Sequence, residues 1–176
     1  MLKGKVLSRR KFATSVLSVA ALGALTSRAS GTSNMNNIKE IKTMRLTPYL
    51  LFDGNCHEAM EFYRCCIGGD LTFMKVKDSP AKDHMPAFQL EKTINARLKS
   101  GDIEISASDW LQLDQTRVHG NTVCLYLSGG TAQELKALFG KLSEGANVTD
   151  PLKEQFYGLY GALNDKFGVR WMFLST

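Results

Sequence analysis

The sequence predicts an α+β domain built from two βαβββ modules. Three observations point there. A strand-to-helix unit occurs twice, the apolar positions of its two helices are 76 places apart, and each helix is followed by short apolar runs of strand length. At 176 residues, 44% hydrophobic and 22% charged, the chain matches one ordinary globular domain, long enough to bury a core without disulfides or metals.

The first module opens at Leu46–Phe52, a strand ended by Asp53-Gly54. Asn55 and Glu58 then have capping-box spacing, with Asn55 as the expected N-cap. Ala59, Phe62, Tyr63, Cys66 and Ile67 recur at helical spacing, and Gly68-Gly69 ends the helix. Strands are expected at Leu71–Lys77, Ile94–Lys99 and Ile103–Ala107. Between the first two, Asp78–Pro86 is rich in turn-forming residues and is expected to be a mobile loop.

The second module repeats the pattern. Thr122–Leu127 is the strand, Gly129-Gly130 the turn, and Thr131 with Glu134 a second capping box. Leu135, Leu138, Phe139 and Leu142 follow Ala59, Phe62, Tyr63 and Cys66 at the constant offset of 76, and Gly145 ends the helix. Asn147–Thr149, Tyr160–Asn164 and Val169–Leu174 complete the expected strands.

The net charge of +5 is concentrated at one end. Six of the 22 basic residues (Lys3, Lys5, Arg9, Arg10, Lys11, Arg28) lie in residues 1–30, which hold no acid, so 16 basic residues face 17 acidic ones in the remainder. A near-neutral body without a basic stripe removes the main reason to expect nucleic acid as a partner. Ser8-Arg9-Arg10-Lys11-Phe12 precedes the apolar run Ala13–Leu25, which is too short and too rich in small residues to span a membrane. This arrangement resembles a twin-arginine export signal, with Ala13 where a larger apolar residue is usual. Ser27 and Ala29 suit cleavage after Ala29. The expected organisation is a removable signal over 1–30, a polar linker over 31–43 and one domain over 44–176. The implied location is periplasmic or secreted, with the membrane met only through the signal.

Pro48–Tyr63 (PYLLFDGNCHEAMEFY) looks like the opening P-Y-L-x-F-x-G-N-C-x-E-A-x-x-F-Y of PhnB-like proteins. Ala96–Asp102 with Ser108-Asp109 is similar to that group's H-A-x-L-x-x-G-D and S-D strands. Phe156-Tyr157-Gly158, Gly161 and Asp165–Met172 resemble its ending, F-W-G…G…D-K-F-G-V-x-W-M. Taken in order over residues 45–174, these motifs resemble the PhnB-like branch of the vicinal oxygen chelate superfamily, the glyoxalase, bleomycin-resistance and dioxygenase fold. The resemblance implies a curved mixed sheet around a cup, and a homodimer. A methyltransferase label is sometimes attached to such proteins. No glycine-rich turn of the nucleoside-binding kind supports it here.

In the wider superfamily a divalent ion is held inside the cup by His, Gln and Glu from both modules. The resemblance maps those positions onto Leu46, Asp109, Thr122 and Met172, of which only Asp109 is a good ligand for such an ion. Asn95 stands where the H-A-x-L motif has His, and His57, His84 and His119 do not converge in the pattern. No metal or other cofactor is therefore expected, and whether the chain is an enzyme is left open.

The expected site is a metal-free small-molecule cup. Trp110, Phe156, Tyr157 and Trp171 would either form aromatic walls or pack in the core or a dimer interface, with Tyr49 and Asn95 as polar anchors of the cup. Arg97 shares a strand face with Asn95 and Lys99, where it either binds an anionic ligand or forms a surface ion pair. The competing readings are a metal-dependent isomerase or dioxygenase and a homodimeric scaffold without a ligand. Cys56, at a helix start, could be acidified and reactive, whereas Cys66 and Cys124 read as core.

Overall fold

The computed structural model describes residues 44–175. The segments read as export signal (1–30) and linker (31–43) lie outside the described residues. Each half of the domain is βαβββ. The first comprises β1 (Tyr49–Phe52), α1 (Cys56–Ile67), β2 (Asp70–Lys75), β3 (Thr93–Ser100) and β4 (Ile103–Asp109). The second comprises β5 (Leu125–Ser128), α2 (Ala132–Leu142), β6 (Asn147–Gln155), β7 (Gly158–Asn164) and β8 (Arg170–Ser175).

The strands form two four-stranded sheets of the same plan, β1-β4-β3-β2 and β5-β8-β7-β6. In each, the first strand runs parallel to the last (Tyr49 opposite Ser106, Tyr126 opposite Met172) and the other pairings are antiparallel. Alternation gives each sheet two faces. Ala96, Leu98, Ile105 and Ala107 point toward α1; Leu159, Leu163, Trp171 and Phe173 join the same core. The opposite faces stay open.

The modules are joined at α1. Tyr63 lies edge-on to Trp171 at 5.4 Å, and Phe167 contacts Phe52 and Phe62 at 6.3 and 5.7 Å between ring centroids. Lys166 Nζ lies 4.2 Å from the centre of the Phe62 ring. Gly161 explains one motif glycine: a Cβ there would come within 2.9 Å of the Phe139 ring, so its absence lets α2 approach the sheet.

Several expected boundaries shift. Thr122–Cys124 is not strand; the parallel ladder with β8 begins at Leu125, opposite Trp171. β6 runs on to Gln155 through Pro151, which an edge strand tolerates, with register shifts between Val148 and Lys153. β2 also has a register shift, between Met74 and Lys75. The expected loop Asp78–Pro86 is instead folded into 3₁₀ turns at Val76–Asp78, Pro80–His84 and Ala87–Gln89. Backbone bonds from Val76 to Lys92 and from Lys77 to Leu90 anchor this segment, Ser79 Oγ donates to Val76 O, and Val76 is fully buried. Lys75 and Lys77 both reach Glu91, whose carboxyl is held down at about 2, first by the bond from Lys75.

Candidate functional site

Both helix N-termini are closed by carboxylates. At α2 the expected capping box is present: Thr131 Oγ1 accepts from Glu134 N–H at 3.2 Å, and Glu134 accepts from Thr131 N–H at 2.7 Å. At α1 the expectation fails, because Asn55 makes no side-chain cap bond. Asp109 replaces it from the end of β4. Its Oδ1 accepts Cys56 N–H at 2.9 Å and its Oδ2 accepts Thr93 N–H at 2.8 Å. No local pattern points to this cap, since the carboxylate lies 53 residues from the helix it closes.

That role decides how the superfamily's metal positions read here. Asp109 is 3% exposed and both its oxygens are engaged. Leu46 precedes β1 and is exposed, Thr122 lies in the connection before β5, and the remaining position is the Met172 thioether. Among the described residues no three His, Cys, Asp or Glu side chains converge. The donor set does not fit a hard or borderline divalent ion.

Cys56 is not a reactive thiol. It is fully buried, and burial, then Asp109, pushes its pKa up to about 12. Burial also raises Cys66.

The seven expected ligand residues do not form one site. Tyr49 and Trp110 line a cleft of about 460 Å³ between the edge strands β1 and β5, roofed by the 110–124 connection. Trp110 Nε1 donates to Gln115 O at 2.8 Å. Asn95 and Arg97 lie exposed on the open face of the first sheet. Arg97 is committed to Glu104 through Nε and Nη2 at 3.1 and 3.0 Å, so the surface ion pair is what forms, and Arg45 joins it at 3.0 Å. Tyr157 borders the open face of the second sheet, and Phe156 projects beside it at 99% exposure.

Trp171 is a correction. It is 1% exposed, faces the helix side, and donates Nε1–H to Asp165 at 2.8 Å, so it belongs to the core and not to a ligand wall.

On the open face of the second sheet, the expected Tyr157 is joined by residues the sequence did not single out for ligand binding. Cys124, Tyr126, Tyr157, Tyr160, Met172 and Leu174 line an open depression of about 550 Å³ without a charged side chain. Cys124 Sγ lies 3.1 Å from Met172 Sδ, and the Tyr157 and Tyr160 rings meet edge to face at 5.9 Å. Alternation along β5 and β8 could have grouped Tyr126 with Met172 and Leu174. Cys124 also lines the β1–β5 cleft, so the two spaces adjoin.

Residues 44–174 match the family described as 3-demethylubiquinone-9 3-methyltransferase. The chain belongs to this PhnB-like family. It is similar to protein PA1353 of Pseudomonas aeruginosa, whose crystal structure has a TM-score of 0.68 at 32% identity, over 76% of this chain and 98% of that one. A PhnB protein from Bacillus cereus gives a TM-score of 0.61 at 22% identity, over 76% of this chain and 100% of the other. Protein YjdN of Escherichia coli K12 is 28% identical over 139 residues, 73% of this chain and 93% of that protein. A glyoxylase/bleomycin resistance protein/dioxygenase domain from Frankia, with a TM-score of 0.53 at 14% identity over 76% of this chain and 97% of that one, shares the fold. The PhnB-like domain here is thus an α+β vicinal oxygen chelate fold.

Proposed function

We propose that this PhnB-like domain binds a small molecule on the open side of its sheets without a metal. The observation that carries the reading is the uncharged depression lined by Tyr126, Tyr157, Tyr160 and Met172. Pockets for small organic ligands are mostly apolar and aromatic, with a few polar groups to orient the guest, and three tyrosines supply both. The test is a thermal-shift screen of aromatic small molecules against the full chain, with elemental mass spectrometry of the same sample. Hits are expected to raise the melting temperature of the parent and not of Tyr126→Ala or Tyr160→Ala. Stoichiometric Zn, Ni, Mn or Fe, or hits indifferent to both substitutions, would sink the reading.

A second reading is favoured by Phe156, almost fully exposed beside the half-exposed Tyr126 and Tyr157. Here the same face is covered by a second copy, as a homodimer. Sedimentation across a concentration series separates the two: a constant dimer with no hits supports the scaffold.

Export is part of the proposal and rests on residues 8–29. Replacing Arg9 and Arg10 together by Lys should keep the chain inside a bacterial host, as read by fractionation. Unchanged export would remove the twin-arginine assignment.

A further inference from the structure

The β1–β5 cleft carries positive charge that no acid matches among the described residues. Arg117, His119 and Arg170 line the β1–β5 cleft with Tyr49, Trp110 and Cys124, and no Asp or Glu lines it. The contrast with Arg97 is direct: that guanidinium is matched by Glu104. Among the described residues neither Arg117 nor Arg170 forms a salt bridge.

Arg117 is held in place without being neutralised. Its Nη1 donates to Leu51 O at 3.0 Å, and its Nη2 donates to His119 Nε2. Arginine has only donors, so the imidazole is the acceptor in this contact. A guanidinium has five N–H donors; among the described residues these two contacts are the ones that engage Arg117. Its Nε is buried with no partner among the described residues. Buried donors in folded proteins are nearly always satisfied, by protein or by water, so this fixed cation keeps bonding capacity that the protein's own described groups do not use.

We propose that the cleft binds the carboxylate of an aromatic organic anion, with Arg117 and Arg170 holding the charged end and Trp110 and Tyr49 flanking the ring. The apolar body extends past Cys124 into the adjoining tyrosine-lined depression. This rests on the binder reading above and adds the ligand's charge and orientation. A planar guanidinium suits a carboxylate because it can make two parallel bonds to it.

The experiment is calorimetric titration of the full chain with 1-naphthoate and with its neutral amide, 1-naphthamide. Naphthoate is expected to bind about tenfold or more tightly than the amide, the size of a hydrogen bond to a charged group, and to weaken as NaCl is raised. Arg117→Gln and Arg170→Gln should each lower naphthoate affinity about tenfold and leave naphthamide unchanged. Arg97→Gln should change neither. Because Arg117 also tethers the connection to Leu51, Arg170→Gln and the wild-type acid–amide comparison stand independently of its folding. Equal affinities for acid and amide, lost in Tyr160→Ala, would overturn the anion assignment while the binder reading survives. Absence of binding by either compound also overturns the assignment, and the screen above then decides the binder reading by itself.

Discussion

Tyr63 donates its phenolic proton to Asp165 Oδ2 at 2.6 Å, so a helix of the first module bonds a turn of the second across 102 residues of sequence. Asp165 also accepts from Trp171 Nε1 at 2.8 Å and from the backbone of Phe167 and Val169 at 2.9 Å each. One buried carboxylate thus shapes the Asp165–Gly168 turn and binds the two modules together. Tyr63→Phe keeps the ring packing and removes one charged hydrogen bond. It should cost about 1.5–3 kcal/mol, read as a lower urea midpoint with an unchanged slope.

Asp109→Asn tests the distant cap. An amide has one acceptor oxygen, so either Cys56 N–H or Thr93 N–H must face an NH₂ group. The expected loss is about 2–3 kcal/mol, measured by urea denaturation. Asn55→Ala, at the N-cap itself, should change stability by less than about 0.5 kcal/mol, because its side chain makes no cap bond. A larger effect at Asn55 than at Asp109 would reverse the assignment.

Alkaline pH should destabilise the fold. The Cys56 thiol has an ordinary value of 9.0 and is raised to about 12 in the folded chain, and Tyr63 is raised above its ordinary 10.0 by burial and Asp165. The folded state therefore holds protons that the unfolded state releases. Stability is fully present below about pH 9 and falls as pH rises toward the folded Cys56 value of about 12. Urea midpoints at rising pH should decline through this window, and Tyr63→Phe should flatten the part above about pH 10.

Gly69 and Gly54 both have positive φ, at 93° and 91°. A Cβ on Gly69 would overlap the Lys99 carbonyl, whereas one on Gly54 meets nothing within 4 Å. Gly54→Ala should cost about 1 kcal/mol of backbone strain. Gly69→Ala should exceed it by at least a further 1–2 kcal/mol or so, both measured by thermal denaturation.

The module plan was legible because it rests on local signals. Paired glycines, helical spacing and the 76-residue offset each describe neighbours in the chain. The site was less legible because its contacts are long-range. Asn55 and Glu58 have capping spacing, yet a carboxylate from β4 takes the position. In β8, Trp171 and Phe173 alternate with Met172 and Leu174, so both faces are apolar and a period of two cannot say which is inside. Arg117 and His119 lie in a connection without periodicity, where their meeting over Leu51 leaves no trace in the sequence.

The irregular pairing of β2 and β6 matters beyond the single molecule. These are the outermost strands of their sheets, and a regular outer strand offers free N–H and C=O groups to any passing chain. Pro151 lacks an N–H, and the register shifts in both strands interrupt the row. Both rims are therefore poorer templates for strand addition than regular edges would be. Growth by strand addition is left to β1 and β5, four residues each and facing one another across the cleft.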